Sequence, residues 1–119
     1  MKLTLTGQTN LLEETSGAEK IYGFDQALLS SLTGLVKHVA NRGTIVDSDG
    51  TVNIALDGIT AVKAFIMKIT GPGSVILKHN GNTNGVDIAS YFLVIGEIAS
   101  VTISTVSTQS LSYEYLAVG

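Results

Sequence analysis

Cysteine and tryptophan are absent from this chain, proline occurs once, and charged residues make up only 14% of its 119 positions. Without cysteine there can be no disulfide framework and no thiolate zinc site, a composition that fits synthesis in a reducing cytoplasm. No apolar run approaches the ~18 residues that cross a bilayer, so no membrane span is expected. The opening Met1-Lys2-Leu3-Thr4-Leu5-Thr6 has no apolar h-region, and no secretory leader is expected there. Seven Lys and Arg against ten Asp and Glu give a net charge of −3. The basic residues are scattered, with none of the stripes that neutralise phosphates, so nucleic acid is not an expected partner.

Hydrophobic residues are plentiful at 45%, enough to build the core of one domain of ordinary size spanning residues 1–119. The charged fraction falls well below the usual ~25%. Serine and threonine stand where Lys and Glu would normally sit. A surface so poor in charge is weakly defended against association and hints at assembly. The same drift also follows from an all-β composition, since strands favour Thr and Val over Lys and Glu.

From Thr51 onward the text is strand and turn. Val52, Ile54 and Leu56 alternate with Asn53, Ala55 and Asp57, and Val101 and Ile103 alternate with Ser100, Thr102 and Ser104. That period of two places apolar side chains on one face of a sheet. Val62–Thr70 is apolar on both faces, which suits a central strand covered on both sides. Strands are also expected over residues 44–46, 51–56, 74–79, 91–95, 98–105 and 110–118. Asp47-Ser48-Asp49-Gly50 reads as a hairpin-like turn, Gly71-Pro72-Gly73 as a second turn and Asn80–Gly85 as a polar rim loop.

The first third is mixed. A strand is expected over residues 2–6, then a polar loop over 8–17. Leu28, Leu32, Leu35 and Val39 have helical spacing and Asp25 could cap a first turn, but Thr33, Gly34 and Val36 oppose a long helix. One short helical turn near residues 25–32, followed by a strand at 35–40, is the resulting expectation. Eight or so short strands with turn signals at short intervals point to an antiparallel β-sandwich or barrel.

No catalytic constellation emerges. His38 and His79 each lack a second histidine two or four positions on, so a metal site would need distant partners. Asp47, Asp49 and Gly50 resemble part of a calcium loop, but the twelfth position of an EF-hand loop, which needs Glu, falls on Gly58. Gly71-Pro72-Gly73-Ser74 lacks the Lys-Ser/Thr of a phosphate loop and leads into a strand. No Gly-x-Ser-x-Gly elbow exists, and the adjacent Glu13 and Glu14 read as solvated charge. Neither an enzyme nor a bound cofactor is expected. In the last strand Tyr113 and Tyr115 share a face with Leu111, while Glu114, Leu116 and Val118 take the other. Packing in a core or interface suits these tyrosines better than a sugar platform does.

Three stretches carry a resemblance: Leu56-Asp57-Gly58-Ile59-Thr60-Ala61-Val62-Lys63-Ala64-Phe65-Ile66-Met67-Lys68-Ile69-Thr70-Gly71, then Tyr91-Phe92-Leu93-Val94-Ile95-Gly96-Glu97-Ile98, and finally Val101-Thr102-Ile103-Ser104 with Tyr113-Glu114-Tyr115-Leu116-Ala117-Val118-Gly119. In this order they resemble the small β-sandwich structural proteins of tailed bacteriophages, including capsid decoration (cement) proteins. The resemblance covers roughly residues 51–119 and rests on strand texture. It implies a jelly-roll-like domain on the capsid surface of the virion that clamps the major capsid protein. A homotrimer is implied, with Tyr113, Tyr115, Leu116 and Val118 as interface residues. Segment 7–19 would serve as an arm that orders on binding. A tail, baseplate or fibre adaptor, or a glycan-binding β-sandwich module, is the alternative.

Overall fold

A computed structural model of the chain describes residues 1–7, 10–12, 20–23 and 28–119. Two compact units divide it, Met1–Leu35 and Val36–Gly119. The first contains β1 (Leu3–Gly7), β2 (Asn10–Leu12), β3 (Lys20–Gly23) and β4 (Leu28–Leu32) as two antiparallel ladders, β1 with β4 and β2 with β3. The helical turn expected near residues 25–32 is corrected here: residues 28–32 form β4, and 25–27 lie outside the described residues. Leu32 stands opposite Leu3 and Leu28 opposite Gly7, so a ladder supplies the main-chain partners that a helix would have supplied. Gly34, with φ of 71°, is left-handed and would end any helix heading for Val39. Of the arm expected at 7–19, Gly7 ends β1 and residues 10–12 form β2, and the rest lies outside the described residues.

The second unit holds β5 (His38–Ile45), β6 (Val52–Asn53), β7 (Val62–Thr70), β8 (Val75–His79), β9 (Val86–Ile88), β10 (Tyr91–Ile98), β11 (Val101–Ser104) and β12 (Leu111–Val118). They form two four-stranded antiparallel sheets packed as a sandwich, in the orders β10-β7-β12-β5 and β6-β11-β8-β9. The pairing is nested: β5 lies beside β12, β6 beside β11, β7 beside β10 and β8 beside β9. The second unit thus behaves as one long hairpin folded into two layers.

This nesting corrects the hairpin-like turn expected at Asp47–Gly50. Strands β5 and β6 belong to different sheets, and a 3-10 turn at Asp47–Asp49 carries the chain between layers. The Asp49 carboxylate accepts the Val46 N–H at 2.8 Å, and the Asp47 N–H donates to Ser107 O at 2.8 Å. Gly71-Pro72-Gly73 likewise joins β7 to β8 across the layers. A Cβ on Gly71 would stand 2.6 Å from Leu111 Cδ2 at a φ of 141°, so this turn tolerates only glycine.

Alternation fills the space between the sheets. Phe65, Met67 and Ile69 of β7 meet Val75 and Leu77 of β8 and Val101 and Ile103 of β11 in one buried cluster. Each such side chain contributes about 1.5–3 kcal/mol on burial. Phe65, fully buried, stacks on Tyr115 with ring centroids 5.8 Å apart and meets Phe92 at 6.4 Å. Tyr113 stands opposite Gly43, and a Cβ there would lie 2.7 Å from its Cζ. The glycine in β5 is therefore the recess that receives the tyrosine ring.

Candidate functional site

The C-terminal strand, expected to supply an interface, is an interior strand flanked by β5 and β7. The structure separates its four singled-out residues into two pairs. Tyr115 is 7% exposed in the core, and its hydroxyl donates to Ala55 O at 2.8 Å. Burial pushes the Tyr115 phenol above its ordinary pKa, and the nearby Asp57 and Tyr113 reinforce this against an opposing hydrogen bond with Asn41. Tyr113 is half-buried and packs against the same cluster. Leu116, half-buried, and Val118, buried, lie on the opposite face.

The other sequence candidates disperse. His38 sits exposed on β5 opposite Val118, whereas His79 ends β8 in the other sheet, its ring 6.3 Å from that of Phe92. Asp49 serves as the cap of its own turn. Among the described residues, no three His, Cys, Asp or Glu gather as metal ligands. Among them too, no helix is long and apolar enough to cross a membrane.

The feature that does assemble is the outer face of the sheet β10-β7-β12-β5. Register aligns its residues in rows across four strands. Thr70, Ser112 and Thr44 make a hydroxyl row, and next to it run Tyr91, Lys68, Glu114 and Arg42. Beyond these, Leu93, Ile66, Leu116 and Ala40 form an apolar row, followed by Ile95, Ala64, Val118 and His38. The face therefore grades from hydroxyl to charged to apolar over four steps. Shallow grooves cross the charged row, lined by Arg42, Lys68, Tyr91 and Glu114. In water such a face can offer charges of both signs and the adjoining strip of Leu93, Ile66 and Leu116 to a flat partner, whereas Ala64 and Val118 of the last row are buried.

The apolar strip is most exposed at its β10 end, where Tyr91, Leu93 and Ile95 keep 59%, 36% and 44% of their surface. None of these three residues belongs to a chemical motif in the sequence. The available signal was the run Tyr91-Phe92-Leu93-Val94-Ile95, apolar on both faces like Val62–Thr70 yet placed at a sheet edge. Among the described residues nothing pairs with the far side of β10. The chain matches no family model, no curated protein and no solved structure.

Proposed function

We propose that this protein is a structural component of a virion, a decoration protein that binds and stabilises the major capsid lattice of a tailed phage. The nested order of the eight strands carries the reading: outermost strands paired with outermost and innermost with innermost support a jelly-roll winding, an architecture shared by viral capsid and lectin domains. The graded outer face suits the task. A decoration protein needs a stiff sheet with a flat surface, and many weak contacts to a repeating lattice add through effective concentration. Sedimentation of the purified chain with undecorated heads tests it: the protein pellets with the heads in a saturable ratio. Folded protein that stays in the supernatant at every ratio overturns the reading.

The row Tyr91, Lys68, Glu114 and Arg42 favours a second reading, a glycan-binding module in a tail fibre or elsewhere. An exposed ring beside both signs of charge is chemistry that recognises a charged sugar. That reading requires a ligand-dependent rise in melting temperature on a panel of acidic oligosaccharides, and failure of heads to bind.

A further inference from the structure

Of the four outer strands of the sandwich, three carry recognised defences against pairing with another chain. Strand β6 has two residues and β9 three, too short to template a partner. Strand β5 is long but presents His38, Asn41 and Arg42, all exposed. Strand β10 is long and, from Tyr91 to Ile95, carries no charge and no proline. Its one irregularity, a bulge between Ile95 and Ile98 beside the exposed Glu97, lies past the apolar stretch.

Among the described residues, no strand takes up the main chain on the far side of that stretch. Ile69 N–H donates to Ser90 O at 2.8 Å, which makes Ser90 and Ile69 a hydrogen-bonded pair in the β10–β7 register. Such pairs alternate along an antiparallel ladder, so Phe92 with Met67 and Val94 with Phe65 are the next ones. Tyr91, Leu93 and Ile95 then aim their N–H and C=O groups away from β7. The same three residues expose apolar side chains on the outer face. Three donors and three acceptors stand at this edge.

We propose that β10 is a homodimerisation edge, pairing antiparallel with β10 of a second copy about a two-fold axis through Leu93. The sequence of the strand selects this occupant. Centred on Leu93, Tyr91 falls opposite Ile95 of the second copy and Phe92 opposite its Val94, aromatic against β-branched in each case, which is a favourable cross-strand pairing. No like charges meet: Glu97 of each copy falls opposite Ala89 of the other. A two-fold contact must be complementary to itself, and this five-residue stretch is. The two sheets merge into one of eight strands. Its outer face then carries an unbroken apolar row, Ala40, Leu116, Ile66 and Leu93 of one copy continuing into the same residues of the other. One strand edge is a small contact beside the ~800 Å² per partner of a standard interface, so the dimer is weak and concentration-dependent.

This proposal is independent of capsid binding, because it is measured on the isolated protein. Sedimentation equilibrium of the full chain over a wide concentration range is expected to show a monomer–dimer transition. Leu93→Lys, which sets two ammonium groups face to face at the axis, is expected to raise the dissociation constant at least about tenfold with an unchanged circular dichroism spectrum. Amide hydrogen exchange on the wild-type chain covers the case in which the variant fails to fold. With rising concentration the Tyr91, Leu93 and Ile95 amides gain protection, while those of Phe92 and Val94, bonded to β7 throughout, do not change. A mass that stays monomeric, a trimer, a folded Leu93→Lys chain that dimerises as wild type, or protection that does not alternate along β10 would each overturn the proposal.

Discussion

Tyr115 stacks its ring on Phe65 and donates a hydrogen bond from its hydroxyl to Ala55 O, so one side chain ties the sheet containing β12 to the crossing segment after β6. Tyr115→Phe keeps the ring and removes the hydrogen bond, at a cost of about 1 kcal/mol near neutral pH. The pH dependence has a definite sign. The folded phenol titrates above the unfolded one, so above about pH 10 the folded state holds the extra proton and stability falls with rising pH. Below that both states are protonated and the difference vanishes. Urea unfolding at about pH 7 and about pH 11 should therefore show a gap between wild type and Tyr115→Phe that narrows or reverses in alkali. Asn80 is the second residue with a dual role. At a φ of 56° its side chain donates to Glu97 O at 3.1 Å and accepts from the Ala99 N–H at 2.7 Å, pinning the β10–β11 turn. Asn80→Ala loses these bonds and strains a left-handed position, for about 1–2 kcal/mol. Asn80→Gly, relieved of the strain, should fall between the two in urea midpoint.

At the scale of the element, β7 and β10 pair with each other and both are apolar on two faces, yet they have opposite surroundings. The core face of β7 is closed by the second sheet, while the outer face of β10 meets water. Phe65→Ala is expected to cost about 3–5 kcal/mol, the range for an aromatic removed from a packed core. Leu93→Ala, on the exposed end of the apolar row, should cost less than about 1 kcal/mol in dilute solution. Thermal unfolding of the two variants side by side measures the difference. The sequence shows both strands clearly, because period-two alternation is local. The two apolar faces of Val62–Thr70 point to its central place beside β12, but the same texture in Tyr91–Ile95 does not show that β10 lies at an edge, which is decided by where β12 inserts. The segment near residues 25–32 went astray for a related reason: Leu28, Leu32 and Leu35 satisfy a helical period, but the ladder with β1 and the left-handed Gly34 decide the outcome. The outer-face site was half legible. The apolar residues on both sides of β12 are visible in the text, whereas their alignment with Leu93, Ile66 and Ala40 depends on register between strands far apart in sequence.

For the whole molecule, that distance is the governing quantity. Val118 pairs with His38, and Leu111 with Ile45, so the ladder that closes the sandwich joins the two ends of the second unit. Loop closure of this length must precede the reward from the contacts it allows. The all-β class was legible from composition and alternation, while the nested order rests on these long closures, which no local signal encodes. Among the described residues, the buried cluster runs from Val39 to Ala117, within the second unit. All eight strands of the two sheets lie in the same span. Residues 36–119 should therefore fold alone, keeping a strand-type circular dichroism spectrum and a single cooperative melt. The essential part of that expectation is the cooperativity, since a sandwich missing part of its core retains strand content but melts gradually. A broad melt of the 36–119 chain alongside a sharp one of the full chain would show that residues 1–35 complete the core.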